Sequence, residues 1–204
     1  MKYVCIDIET TGLDRNNDQV LQFAAVIRDT DKMSEPVTES PSMVCYVEHE
    51  RYQGQPYALA LNSGILSELA KPIEKRKMRT SKIEDLALSF YSFLVVNGYT
   101  PSENSKRVSF TGAGKNFGTF DLQFLNNVPN WNKYFLVDSR VLDPAMLFVK
   151  PTDKKLPGLK NCLQRMGIDK EISHDALEDV YDTIIALETG LSNLWASNET
   201  KESI

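Results

Sequence analysis

The decisive stretch is Tyr3-Val4-Cys5-Ile6-Asp7-Ile8-Glu9-Thr10-Thr11-Gly12. Tyr3–Ile8 is an apolar run with period-2 character, and Thr10-Thr11-Gly12 breaks it, so it reads as a short strand closed by a turn. Alternation along a strand places Asp7 and Glu9 on one face. Two like charges ~4 Å apart repel by roughly 4 kcal/mol at an effective dielectric of about 20, so a buried pair needs an offset. Hard divalent cations with oxygen ligands supply one. An exposed strand end carrying two ordinary surface acids is the alternative.

Outward from this strand the pattern alternates. Gln19–Arg28 and Met43–Glu48 are further strand candidates, and the short link after the first strand suggests an antiparallel start. Ala58–Ala70 and Ile83–Val96 carry apolar residues at helical spacing, and Asn97-Gly98 is a stop. Arg107–Thr111 reads as a strand, Gly112–Gly114 as a tight turn and Phe117–Asn126 as a helix. Phe135–Asp138 is a strand, and Arg140–Val149, Gly158–Met166 and Asp175–Leu191 are helices. The order predicts an α/β domain with a mixed sheet. Residues 1–192 form that domain, and residues 193–204 a polar, frayed C-terminal tail.

Bulk properties narrow the class. The chain has 204 residues, 42% hydrophobic and 25% charged, which fits one soluble domain. No stretch approaches the roughly 20 apolar residues of a membrane span, and the N-terminus lacks a signal-peptide pattern, so a cytoplasmic location with no membrane partner is expected. Cys5, Cys45 and Cys162 are scattered and without a C-x-x-C pair, which argues against a disulfide framework or a cysteine zinc site. A net charge of −5 speaks mildly against gripping long nucleic acid by bulk electrostatics. The basic cluster Lys71, Lys75, Arg76, Lys77, Arg79 and Lys82 reads either as a solvated face or as a track for a substrate backbone.

Two more segments carry chemistry. Asp121 follows a strand, a glycine-rich turn (Thr111–Gly114) and Asn116 to Phe120, and lies beside an apolar helical face formed by Leu122, Phe124 and Leu125. The glycines lack the spacing of a phosphate loop. In Ser173-His174-Asp175-Ala176-Leu177-Glu178-Asp179, Asp175 and Glu178 have capping-box spacing. That leaves His174 just before a helix and Asp179 about one turn inside it, both able to reach one cavity. The other histidine, His49, has no matching context.

Together the three segments resemble the DEDDh exonuclease family, the DnaQ-like group of the ribonuclease H-like fold. The likeness runs from Tyr3 to about Leu187, and His174 through Asp179 matches the family's H-x-A-x-x-D pattern in full. It implies a ribonuclease H-like α/β fold whose central mixed five-stranded sheet is flanked by helices. It implies that Asp7, Glu9, Asp121 and Asp179 bind two divalent cations, Mg²⁺ or Mn²⁺, and that His174 is the general base. The expected product is a 5′-nucleoside monophosphate released from single-stranded 3′ ends of DNA or RNA. Thr10, Thr11 and Leu13 occupy the positions that hold the terminal nucleotide, and Asn116 matches an asparagine that helps order the site. Phe120 stands beside Asp121 for stacking or for core packing. Several stand-alone relatives are homodimers. Two departures stand out: Gln22 where many members carry glutamate, and Asn116 five residues before Asp121 where some have four. The alternatives are a phosphodiesterase acting on short oligonucleotides or small nucleotides, and an inactive nucleic-acid-binding domain.

Overall fold

The computed structural model describes the backbone of residues 1–202 and the side chains of residues 1–196. Strand β1 (Lys2–Thr10) runs antiparallel to β2 (Val20–Asp29), which pairs antiparallel with β3 (Ser42–Glu48). Helices α1 (Pro56–Leu61) and α2 (Ser63–Leu69) follow, then β4 (Thr80–Lys82) and α3 (Ile83–Val96). After them come β5 (Val108–Phe110), β6 (Gly112–Ala113), α4 (Asp121–Leu125), α5 (Trp131–Tyr134) and β7 (Phe135–Val137). The chain continues through α6 (Ala145–Phe148), α7 (Leu159–Arg165) and α8 (Ala176–Glu202). The central sheet is mixed and five-stranded, in the order β4-β3-β2-β1-β6, as the family resemblance implies. Parallel β5 and β7 form a second, two-stranded sheet.

Pleating sorts the side chains onto two faces. Val4, Ile6 and Ile8 of β1 join Phe23, Ala25 and Ile27 of β2 in a core against α3, where Phe90 stacks on Trp131 at 5.6 Å. The opposite face receives Tyr3 and Cys5, then Asp7 and Glu9, from β1, and Gln22, Ala24, Val26 and Arg28 from β2. Helix α8 lies on this second face through Ala176, Val180, Ile184 and Leu187, a stripe at i, i+4, i+8 and i+11. Ala24 is the small residue that lets the helix approach. The acidic pair thus continues a buried apolar row and emerges where α8 begins.

Several element boundaries differ from the sequence expectation. The helix expected over Ala58–Ala70 is two, because Asn62 leaves the helical path and donates its side-chain amide to the Thr10 carbonyl at 3.0 Å. The expected turn Gly112–Gly114 contributes β6, which pairs parallel to β1. A Cβ at Gly112 would lie 2.3 Å from the Phe117 ring, so only glycine fits there. The helix expected from Phe117 begins at Asp121, after a tight turn, and that expected over Arg140–Val149 shrinks to α6. Helix α8 runs on to Glu202 instead of stopping near Leu191; of the expected frayed tail, residues 203–204 lie outside the described residues. No helix among the described residues is long and apolar enough to cross a membrane.

Candidate active site

The site forms where the end of β1, the start of α4 and the loop entering α8 meet. Glu9, His174 and Asp179 each offer a ligand atom, and these atoms lie within 4.8 Å of one another. Asp121 is 2% exposed, and its Oδ1 accepts the Ile8 backbone N–H at 3.1 Å, which locks α4 against β1 between Asp7 and Glu9. Asp7 is half-buried and feels the charges of Asp121, Asp179 and Glu9, in that order. The structure therefore gathers all five residues singled out in the sequence, from segments up to 172 positions apart (Asp7 to Asp179).

Crowding buried carboxylates raises their proton affinity. Burial, then Asp179, pushes the Glu9 carboxyl up to about 8, with the Asn62 amide partly opposing. Burial pushes Asp121 up to about 7, against the Ile8 N–H and Lys115. Burial, then Asp182, raises Asp179 to about 6, with Ser173 and Lys170 opposing. Burial, then Asp121, Asp179, Glu9 and Asp175, hold Asp7 well above the usual carboxylate range. Buried, mutually repelling carboxylates beside one exposed imidazole are a donor set that a divalent cation would satisfy.

Local hydrogen bonds set the loop into α8. Asp175 caps the helix, its Oδ1 accepting the N–H of Leu177 at 3.1 Å and of Glu178 at 3.3 Å. His174 is exposed and adopts the left-handed conformation (φ 54°), uncommon for a side chain of its size, which turns it back toward Glu9 and Asp179.

The remaining residues expected at the site play various parts. Thr10 and Thr11 are buried; the Thr10 hydroxyl bonds the Gly12 carbonyl at 2.6 Å, and the Thr11 hydroxyl accepts the Gln19 N–H at 2.8 Å. The Thr11 amide bonds the Gln19 carbonyl, and its carbonyl accepts the Gln55 N–H, so Thr11 fastens the β1–β2 loop. Leu13 is 76% exposed and, with half-buried Phe120, lines an open cleft of about 300 Å³ between the β1–β2 loop and the start of α4. Phe120 also packs on Phe124 at 5.1 Å, the contact expected of its core-packing role. Asn116 is exposed with φ 64°; its carbonyl accepts the amides of Thr119 and Phe120 at 2.9 Å, and this turn delivers Asp121. Of the basic cluster, Arg76 is tied to Glu48 and to the Leu69 carbonyl, and Lys71 to Glu68. Arg76 thus ties the end of β3 to α2 and Lys71 pairs within the end of α2, leaving Lys75, Lys77, Arg79 and Lys82 exposed.

Sequence reasoning does not find Asn62, which is 3% exposed beside Glu9, nor the role of Gln22, which is fully buried. The Asn62 position reads as the interior of one helix, and nothing local betrays its contact 52 residues away. A polar glutamine in the otherwise apolar run Val20–Ile27 is the signal for Gln22.

Comparison with known proteins agrees with this geometry. The family model RNase_T: Exonuclease matches residues 4–84, which hold the first acidic pair. An oligoribonuclease of Hydrogenovibrio crunogenus is 25% identical over 193 residues, covering 94% of this chain and 93% of its own. An oligoribonuclease of Wigglesworthia glossinidia brevipalpis is 27% identical over 185 residues, covering 89% and 86%. Among solved structures, exonuclease I of E. coli in complex with a dT13 oligonucleotide matches with a TM-score of 0.59 and 20% identity over 96% of this chain. The chain spans 43% of the length of that protein, and this likeness shows the fold. The mixed α/β sheet, with clustered acids at the end of its first strand, has the ribonuclease H-like fold. The family match to its first acidic motif and the oligoribonuclease relatives, aligned over most of their length, make the chain similar to 3′-5′ exonucleases of the DEDDh type and support that activity.

Proposed function

We propose that this protein removes 5′-nucleoside monophosphates from the 3′ ends of short single-stranded oligonucleotides. In this reading Asp7, Glu9, Asp121 and Asp179 hold two divalent cations, Mg²⁺ or Mn²⁺. The observation that carries the reading is the convergence of Glu9, Asp179 and His174 within 4.8 Å, beside Asp7 and Asp121. Support for short substrates comes from two oligoribonuclease relatives that match over nearly their whole length, and from a net charge of −5. Long nucleic acid is normally held by many phosphate contacts, which an acidic chain is poorly equipped to make.

When bound, the cations would supply Lewis acidity for the charge that builds on the attacking and leaving oxygens during displacement at phosphorus. The chain's own residues supply the rest. His174 accepts the proton of the attacking water at a ring nitrogen, and its exposure lets that proton pass on to solvent. The Ile8 N–H fixes one Asp121 oxygen, so its carboxylate does not swing as the substrate enters. Leu13 and Phe120 offer apolar side chains to the terminal base in a cleft otherwise lined mainly by polar residues.

A time course on 5′-labelled RNA and DNA tests this. The lengths run from dinucleotides to long strands, with Mg²⁺, Mn²⁺ or EDTA, free or blocked 3′ ends, and an Asp7→Ala control. A metal-dependent ladder shortening from free 3′ ends, fastest on short strands and lost in the variant, is the expected result. Turnover confined to dinucleotides or cyclic nucleotides would replace the exonuclease reading with a small-nucleotide phosphodiesterase. Folded protein inactive on every substrate would leave a nucleic-acid-binding domain.

A further inference from the structure

Gln22 and Asp175 are 153 residues apart and meet through side chains. Gln22 Nε2 donates to Asp175 Oδ2 at 3.0 Å, and Gln22 Oε1 accepts the Ala176 N–H at 3.1 Å. Gln22 is fully buried and is the register partner of Glu9 across the β1–β2 ladder. Asp175 passes the connection on. Its second oxygen caps α8, and its own N–H donates to Ser173 Oγ at 3.3 Å. Ser173 Oγ in turn lies 3.4 Å from Asp179 Oδ1 and donates to it. A single glutamine thus joins the strand position beside Glu9 to both the left-handed His174 loop and the Asp179 carboxylate.

We propose that Gln22 is a positioning residue, whose amide sets the His174 loop and Asp179 against Glu9 through a donor–acceptor match with Asp175. The proposal rests on the exonuclease reading of the site and adds the residue that registers its two halves. The chemistry makes the match directional. Only a side chain with one acceptor and one donor can take the Ala176 N–H and also bond a carboxylate. A glutamate at position 22 would set two carboxylates against each other unless position 175 changed with it. Glutamine at 22 and aspartate at 175 are therefore a matched pair.

Swapping the pair tests the idea. Gln22→Glu loses the donor, and Asp175→Asn turns the Oδ2 acceptor into a donor facing Nε2. The double variant restores a donor–acceptor match with reversed polarity and the same net charge, and the amide oxygen at position 175 still caps α8. Gln22→Met removes both bonds without adding charge. For each we would measure kcat and KM on a short oligonucleotide, Mn²⁺ affinity by calorimetry without substrate, and thermal melting. Each single variant should lower kcat roughly 10–100-fold with little change in KM, Gln22→Met should weaken Mn²⁺ binding by a similar factor, and the double variant should recover both. A folded double variant no better than the worse single, or Gln22→Met with unchanged kcat and Mn²⁺ affinity, would overturn the proposal. If the single variants do not fold, the double carries the test: folded and active supports the pair, folded and inactive sinks it. Asp179→Asn runs alongside. If it cleaves at the full rate the site reading itself fails, whereas an inactive Asp179→Asn beside unaffected Gln22 variants removes only the role of Gln22.

Discussion

Arg28 and Glu188 form a buried two-point ion pair, Nε to Oε1 at 2.8 Å and Nη2 to Oε2 at 2.7 Å, with the Tyr3 hydroxyl also donating to Oε1 at 2.9 Å. Their side chains are 2% and 8% exposed. Arg28 projects from the same face of β2 as Gln22, six residues along, so one strand grips α8 at its start and again about three turns later. Asp179, the carboxylate proposed to hold a cation, is carried between these two grips.

Removing one member of this pair leaves the other charge buried. Glu188→Ala should cost about 3 kcal/mol or more of unfolding free energy, measured by urea titration. Arg28→Met with Glu188→Leu should recover much of it. Because neither residue touches the acids, molecules that remain folded should keep their turnover rate.

Metal-free stability should fall as pH rises. The Glu9, Asp121 and Asp179 carboxyls are pushed up to about 8, 7 and 6, above their unfolded values of about 4. The fold therefore binds more protons than the unfolded chain between about pH 4 and pH 8, and its stability declines across that window. Melts in EDTA at steps of pH should show this decline. Millimolar Mg²⁺ or Mn²⁺ should raise the melting temperature most at the alkaline end, where the carboxylates are ionised. A flat profile in both series would contradict a preformed acidic cluster.

His174→Ala should lower kcat by ~10²–10⁴ if the imidazole takes the proton from water. The side chain is exposed, so melting temperature should change little. Single-turnover cleavage separates the two effects, and a wild-type rate would remove His174 from that role.

Leu13→Ala tests the cleft. With a side chain 76% exposed, it contributes little to folding, so stability should shift by no more than about 0.5 kcal/mol. KM for a short oligonucleotide should rise several-fold as the apolar contact to the terminal base is lost, while kcat changes less. An unchanged KM would place the terminal base elsewhere.

Much of the site was legible because its signals are local. The alternation that puts Asp7 and Glu9 on one face is a property of any strand, and the cap at Asp175 fixes where α8 starts and hence where Asp179 stands. Apolar periodicity likewise located β1, β2, β3 and α3 to within two residues. Short elements were less legible: β4, with three residues of mixed polarity, and α5, with four, carry no period to read, and their form follows from what they pack against.

By itself, then, the sequence determined which residues are acidic, basic or apolar at strand and helix spacing, and through that the α/β class and the five candidate active-site residues. Only the tertiary structure decided how far apart they stand, that Asn62 breaks a helix to reach the Thr10 carbonyl, and that Gln22 faces Asp175. Those contacts join positions 52 and 153 residues apart, and a hydrogen bond between side chains leaves no periodic trace in either segment. The proton affinities of the acids belong to the fold for the same reason, since burial and neighbouring charge exist only once β1, α4 and α8 have met.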